Sequence, residues 1–396
     1  MIRSTVAHVD LAALQANFKA IQNFLAAGTA DPSHLRRSEA SVGQGGPRRP
    51  VPQVIAVVKA NAYGHGAERV ALALEAAGAG LLACADIEEG IVLRRAGVRA
   101  PILVFGALSV SDLDGVFEFS LTPTISSPAA ARAVQAAAAK HSATLGYHLK
   151  IDTGMNRLGF RHDNLRRTLP ELLGSPNLRL EAVFTHFATA DDPERTFFNE
   201  QREHFETALK TVEEIRGRDR PLIHAANSAA TLRDSRVWYD MVRPGLLLYG
   251  IVPPPMATTI PLTPVMSLTS RVVAVKGLRQ GEGVGYGLRF RADKPVTTAV
   301  IPAGYADGID LRVSGRCHVL IRGRRVPIVG AVSMDMMTVD VTGLDDVSPG
   351  DEVVIIGRQG NESWQQIDAR EMAATIGTIP YEIVCRIGAR IERQYE

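Results

Sequence analysis

Eight short apolar, β-branched runs alternate with helix-like segments over about the first 250 residues, and that alternation predicts a TIM-type (β/α)8 barrel. After about Pro253 the chain turns to strand-like runs separated by Gly, Asp and Pro, which predicts a C-terminal, mostly β domain. The expected domains are therefore 1–252 and 253–396. An open doubly wound sheet is the rival to the barrel, and the short interval before the eighth run makes that unit the weakest of the eight. A chain of 396 residues, 46% hydrophobic and 22% charged, can bury a core in each domain, which excludes a disordered or fibrous class.

Asp10 is placed to cap a first helix, whose Leu11, Leu14, Phe18, Ile21 and Leu25 recur at intervals of three and four. Residues 29–52 then hold four Pro, four Arg, three Gly and three Ser. Such a segment cannot offset its ordering entropy by burial and reads as a polar insertion. The eight barrel runs follow at 54–59, 81–85, 101–106, 121–125, 147–152, 180–188, 222–228 and 241–250. The β-rich runs lie at 267–275, 297–304, 317–332, 337–341 and 351–357.

Charge and cysteine usage narrow the class. Lys and Arg number 44 against 42 Asp and Glu, so neither a nucleic-acid nor an anionic-membrane partner is expected. Cys84, Cys317 and Cys385 are far apart and form no C-x-x-C pair, which suggests reduced thiols and argues against a disulfide frame or a metal site. The start MIRSTVAHVD meets charge before any apolar run, and the most apolar long stretch, 70–85, is too short to span a bilayer. A cytoplasmic protein is the expectation.

Barrel active sites are built at the carboxyl ends of the strands, and unusual polar residues collect there. Lys59 follows five apolar residues, where partial burial would lower its pKa and give a nucleophilic, Schiff-base-forming amine. The fifth run ends at Lys150 and Asp152 with Arg157 beyond it, the sixth at His186, the seventh at Asn227 and Ser228, and the eighth carries Arg243 near its start. Each has a plainer reading: Lys59 as a solvated rim residue, His186 as a core histidine between aromatics, the arginines as surface ion pairs, Ser228 as a helix cap. Two guanidiniums at one mouth nevertheless suit an anionic substrate or cofactor. The glycines of GEGVGYG (281–287) precede no βαβ unit, so they are no dinucleotide fingerprint, and Tyr286 reads as a loop tyrosine.

At these residues the chain resembles the alanine racemase family. The likeness is carried by VVKANAYGHG (57–66), HLKIDTGMNRLGF (148–160), FTHFATAD (184–191), HAANSAA (224–230), VRPGLLLYG (242–250), GVGYG (283–287), AGYADG (303–308), VSMDMM (332–337) and YEIV (381–384). The resemblance implies pyridoxal 5'-phosphate (PLP) bound to Lys59, with Tyr63, Asn227, Ser228, Gly245, Leu246 and Tyr381 around the cofactor and Arg243 on the pyridine nitrogen. It implies interconversion of L- and D-alanine by two bases, Lys59 and Tyr286, because one face of Cα loses a proton while the other gains one. His186 and Arg157 would assist Tyr286, whose free pKa would be about 10, and Arg157 would also hold the substrate carboxylate. Lys150 matches a position that is often carbamylated.

The family pattern places Met334 in the substrate site, reaching it with Tyr286 from the other subunit of a homodimer. Asp191, Tyr305 and Tyr381 match the substrate entryway. A racemase preferring serine or acting broadly is the nearest alternative. A barrel decarboxylase or a non-catalytic PLP carrier fits less, because neither calls for the Tyr286–His186–Arg157 set together with a second domain.

Overall fold

The computed structural model describes residues 4–30, 50–108, 113–217, 220–360 and 364–396. The chain divides into two compact units, one formed by Leu14–Ala62 and Ala67–Leu262, the other by Met1–Ala13, Tyr63–Gly66 and Thr263–Glu396. Most of the polar insertion expected over 29–52 lies outside the described residues.

Strand β1 (Val6–Val9) opens the chain and is followed by the helix Leu11–Ala30. Asp10 starts that helix as expected, its Oδ1 accepting from the Ala13 amide at 2.7 Å. Leu14, Phe18, Ile21 and Leu25 are all buried along one stripe.

Eight parallel strands form the barrel. They are β2 (Gln53–Val57), β3 (Leu81–Cys84), β4 (Ile102–Val104), β5 (Thr122–Ile125), β6 (Leu145–Asp152), β8 (Leu178–Phe184), β9 (Leu222–Asn227) and β10 (Met241–Arg243). The short β7 (Phe160–Arg161) pairs in parallel with Ile151 and Asp152 at the carboxyl end of β6. The order runs β5-β4-β3-β2-β10-β9-β8-β6, and a β5–β6 pairing closes the ring. The closed ring removes the doubly wound alternative. Residues 54–58 are buried without interruption, as a parallel strand covered on both faces requires. Ile55, Ala83, Leu103, Ala182 and Met241, from five strands, pack as one interior cluster. Local caps start the intervening helices: Asp86 Oδ1 accepts from the Glu89 amide and Ser127 Oγ from the Ala130 amide.

The second unit is built on β11 (Met266–Arg271), β12 (Ala274–Leu278), β13 (Gly283–Val284), β14 (Phe290–Arg291), β15 (Val296–Ile301), β16 (His318–Ile321), β17 (Arg324–Val329), β18 (Met337–Asp340), β19 (Glu352–Gln359), β20 (Gln365–Ile367) and β21 (Glu392–Tyr395). Its main sheet runs β12-β15-β18-β17-β16-β19-β11-β1-β21, with β20 on β19 and the β13–β14 hairpin apart. Two helices, Ala369–Ile376 and Pro380–Cys385, complete it, so the unit is mostly rather than wholly β. Strand β1 lies between β11 and β21, antiparallel to the first and parallel to the second. Among the described residues no helix is long and apolar enough to cross a membrane.

Gly64, in the segment that joins this unit from the barrel sequence, has φ +82, and a Cβ there would lie 2.1 Å from the Val384 carbonyl oxygen. Gly78 has φ +100 but open space around it. Gly64→Ala should therefore destabilise by about 2–4 kcal/mol and Gly78→Ala by only about 1–2 kcal/mol. Urea midpoints of the two variants measure the difference; equal losses would show that the close approach to Val384 contributes nothing.

Candidate functional site

At the carboxyl end of β2 the backbone makes a left-handed helical turn. Ala60, Asn61 and Ala62 sit at φ 52–54 and ψ 46–52, and Tyr63 follows at φ 53. For four L-residues in succession this costs about 1–2 kcal/mol each. Three hydrogen bonds hold it: Ala62 N–H to the Val58 carbonyl at 2.8 Å, Ala60 N–H to Glu89 Oε1 at 2.6 Å, and Ala67 N–H to Asn61 Oδ1 at 2.8 Å. Glu89 anchors itself by accepting from the Ala85 amide with its other oxygen. Lys59 enters this turn half-buried at the mouth.

Arg243 is the last residue of β10 and is buried, so it stands at a strand end and not near the start of a longer one. Its Nη2 donates to the carbonyls of Thr185 at 2.8 Å and Ala225 at 2.9 Å and lies 3.3 Å from His186 Nδ1. Its Nη1 is 2.9 Å from His224 Nδ1. His224 Nε2 in turn is 3.0 Å from His148 Nδ1. Burial presses the Arg243 pKa down to about 9, which still leaves it cationic at neutral pH. Burial, reinforced by the Arg243 charge, holds His186 and His224 well below the ordinary histidine range and takes His148 down to about 3. All three rings are neutral near pH 7.

Lys150 points into the same mouth from β6 and is buried, its ammonium 5.8 Å from the centre of the Phe184 ring. Arg243 sits 5.3 Å from that ring, and His224 stacks on it at 4.6 Å. Phe184 thus separates two cations and shares its face with a neutral imidazole. Burial, then the charges of Arg157 and Arg243, lower the Lys150 pKa to about 8. Arg157 lies exposed beyond β6, on a loop whose Gly154 and Asn156 amides donate to Asp152 Oδ1.

Asn227 and Ser228 divide roles differently from the sequence reading. Asn227 caps the helix Ser228–Arg233, its Oδ1 accepting from the Ala230 amide, while the Ser228 hydroxyl accepts from the Gly245 amide at 2.9 Å. A 3₁₀ turn begins at buried Leu246. Asp191 is exposed in the loop after β8.

The remaining candidates lie in the other unit. Tyr63 is buried with its ring 6.0 Å from that of Tyr381, and burial beside Tyr381 and Cys385 raises its pKa. Tyr286 is 78% exposed at the tip of the β13–β14 hairpin. Met334 and Tyr305 are exposed too, and are joined through their backbones, the Ala306 amide donating to the Met334 carbonyl at 3.0 Å. Sequence reasoning missed Glu89, Phe184 and His224 as parts of the mouth, and with them His148, which continues the chain of rings from His224 into the barrel. Only the HLKID and HAANS patterns, each placing a histidine inside a barrel strand, hinted at the last two.

The family model for the N-terminal domain of alanine racemase matches residues 46–253, and that for its C-terminal domain matches 265–395. The chain belongs to the alanine racemase family. It is 37% identical to the alanine racemase of Halothermothrix orenii over 395 residues, covering 100% of this chain and 97% of that one. The crystal structure of the Bacillus anthracis alanine racemase with bound L-Ala-P matches with TM-score 0.85 and 36% identity, over 100% of this chain and 96% of that one. That of the Bartonella henselae enzyme, with covalently bound pyridoxal phosphate, matches with TM-score 0.82 and 28% identity over 99% of each chain.

The alanine racemase family is PLP-dependent, and the mouth suits such a cofactor. Among the described residues no salt bridge pairs Lys150, Arg157 or Arg243 with a carboxylate, Asp152 being the one acidic group whose charge acts on Lys150, and Arg243 Nε makes no hydrogen bond.

The neutral histidines generate a pH prediction. Their folded pKa values lie below the unfolded value of about 6.5, so between about 6.5 and 3 the unfolded chain binds protons that the folded chain refuses. Their contribution is complete above about pH 6.5 and is lost as pH falls, each ring costing about 1.4 kcal/mol per pH unit. The urea midpoint should drop between pH 7 and 5, a window above most carboxylate titration. A midpoint unchanged across it would mean that the rings titrate normally.

Proposed function

We propose that this protein interconverts L- and D-alanine with PLP carried at Lys59, and that Lys59 and Tyr286 are its two bases. The observation that supports this reading is the excess of positive charge at the barrel mouth, where Lys59, Arg157 and Arg243 act on Lys150 against Asp152 alone and which a phosphate ester and a substrate carboxylate would answer. Bound PLP supplies an electron sink that acidifies the α-hydrogen of alanine. Arg243 would hold the pyridine nitrogen; a guanidinium keeps its proton near neutrality, so it would leave that nitrogen unprotonated and the sink moderated.

Ser228 with the backbone of Gly245 and Leu246 would hold the phosphate, and Asn227 fixes the helix start behind them. Tyr63 and Tyr381 keep the cofactor roles that the family pattern gives them. Lys59 Nζ takes or returns the α-proton on one side of Cα. Tyr286 Oη does so on the other, which requires a stabilised phenolate. His186 accepts from Arg243 at Nδ1, so its proton sits on Nε2 and is available to the Tyr286 oxygen. Arg157 binds the substrate carboxylate.

Lys150, partly deprotonated near its pKa of about 8, can add carbon dioxide with loss of a proton. The resulting carbamate would turn a repelling cation into an anion that orients Arg157. Exposed Tyr286 and Met334 fit a homodimer in which each subunit lends them to its partner's site, and Asp191, Tyr305 and Tyr381 then line the substrate entry. Cys84 and Cys317 are buried thiols whose pKa values burial raises, in keeping with a cytoplasmic enzyme.

The test is α-proton exchange in deuterium oxide with alanine, serine, lysine and arginine. Alanine should exchange fastest and yield the opposite enantiomer. Bound cofactor with no exchange of any α-proton would defeat the proposal in favour of a carrier. Lys59→Ala should lose the cofactor's protein-bound absorption, and Tyr286→Phe should keep it while slowing racemisation about 10²–10⁴-fold. Full activity in Tyr286→Phe would remove that residue from the mechanism.

A further inference from the structure

The guanidinium of Arg243 fixes a direction for every hydrogen bond beneath it. Arginine only donates, so His224 Nδ1, 2.9 Å from Nη1, must accept. A neutral imidazole that accepts at Nδ1 carries its proton on Nε2. That proton goes to His148 Nδ1, 3.0 Å away, and His148 in turn is left with its own proton on Nε2. His148 is only 4% exposed, yet its Nε2–H meets no acceptor among the described residues. Thr124, its register partner on β5, has a buried hydroxyl that also lacks a partner.

His148 lines a cavity of about 430 Å³ at the opposite end of the barrel, bounded by strand starts such as Gln53 and Leu222. Arg179, Arg216 and Arg220 line it too, together with Glu181, and Arg216 Nη2 donates to the Leu180 carbonyl at 3.3 Å. Arg179 reaches Glu181 at 2.5 Å, and Arg220 lies 3.3 Å from Asp240. The arginine of each pair is exposed while Glu181 and Asp240 are half-buried, Asp240 Oδ2 also accepting from the Ile223 amide at 2.7 Å, so it is the guanidiniums that can change partner at little cost. A polar chain running through a barrel core to a basic hollow is unexpected at an end that ordinarily only closes the core.

We propose that this cavity binds a small oxyanion, inorganic phosphate or a phosphate monoester, recognised by His148 Nε2–H together with the guanidiniums of Arg179, Arg216 and Arg220. Tetrahedral oxyanions offer several acceptors to planar guanidinium forks, and a neutral imidazole N–H adds a donor that no change in its own charge can withdraw. An anion at His148 polarises that ring, strengthens its bond from His224, and makes His224 a better acceptor for Arg243. The occupant is thereby coupled to the guanidinium at the mouth. This coupling, though not the binding, rests on the reading that Arg243 faces the pyridine ring.

The experiment uses the PLP-loaded enzyme labelled with ¹⁵N-histidine. Nitrogen shifts should show His148 and His224 as neutral Nε2–H tautomers, with the His148 signal identified by its loss in His148→Phe. Titration with inorganic phosphate should move that signal saturably, and glycerol phosphate should move it with equal or higher affinity if the remaining volume is used. Arg216→Gln, and independently the exposed Arg220→Gln, should each weaken binding about tenfold. Phosphate competing only at the alanine site would raise the apparent KM equally in these variants and leave the His148 signal still, which would overturn the proposal. A signal that phosphate never moves would overturn it as well and mark the cavity as water-filled. Failure of the racemase reading would be seen separately, as absent α-proton exchange in an enzyme whose His148 signal still responds to phosphate.

Discussion

The buried guanidinium of Arg243 organises the barrel mouth. It spends two donors on main-chain carbonyls at the ends of β8 and β9, which locks its plane relative to the strands that supply His186 and Ser228. Its charge then dictates the state of its neighbours. Two imidazoles must accept from it, so both stay neutral and oriented, and a third follows through the chain of contacts. Phe184 gives the arrangement a floor that attracts Arg243 and Lys150 without neutralising either. A carboxylate in place of Phe184 would quench the field that an incoming anion is meant to feel.

The second constraint is local. The left-handed turn after Lys59 runs against the chirality of its residues, and Glu89 and Asn61 hold it there through hydrogen bonds to backbone amides. Such a turn re-aims the chain within four residues, which suits a position where a strand must stop abruptly and present one side chain. Glu89 is a half-buried carboxylate on an amphipathic helix, and by spacing alone it looks like any solvated helix residue.

That contrast shows what a sequence can disclose. The barrel was legible because its strands are buried on both faces and read as unbroken apolar runs, and their observed limits fall within a few residues of those runs except in the eighth, whose strand ends at Arg243 while the run continues to 250 as a 3₁₀ turn. Lys59, Lys150, His186 and Arg243 stood out because each interrupts or ends such a run. His148 and His224 hide within theirs: a histidine in an apolar strand looks like core, and only the three-dimensional register brings the two rings together. Strand β1 was equally hidden. VAHV is short, lies beside a strong helix signal, and pairs with residues more than 250 positions away. The mouth's electrostatics were unreadable for a related reason, since mutual depression of pKa values depends on distances that spacing does not encode.

Strand β1 also sets a timetable. It occupies the place between β11 and β21, so the sheet needs residues 6–9 and 392–395 side by side. During synthesis at about 5–20 residues per second, the first of these segments emerges roughly 20–80 s before the second. Both edges of the first segment wait unpaired while the barrel sequence is made and can begin to fold; β11 can then take one, and the other stays open until β21 is made. The four residues of β21 then cover the second edge, and their loss would leave that edge of β1 open.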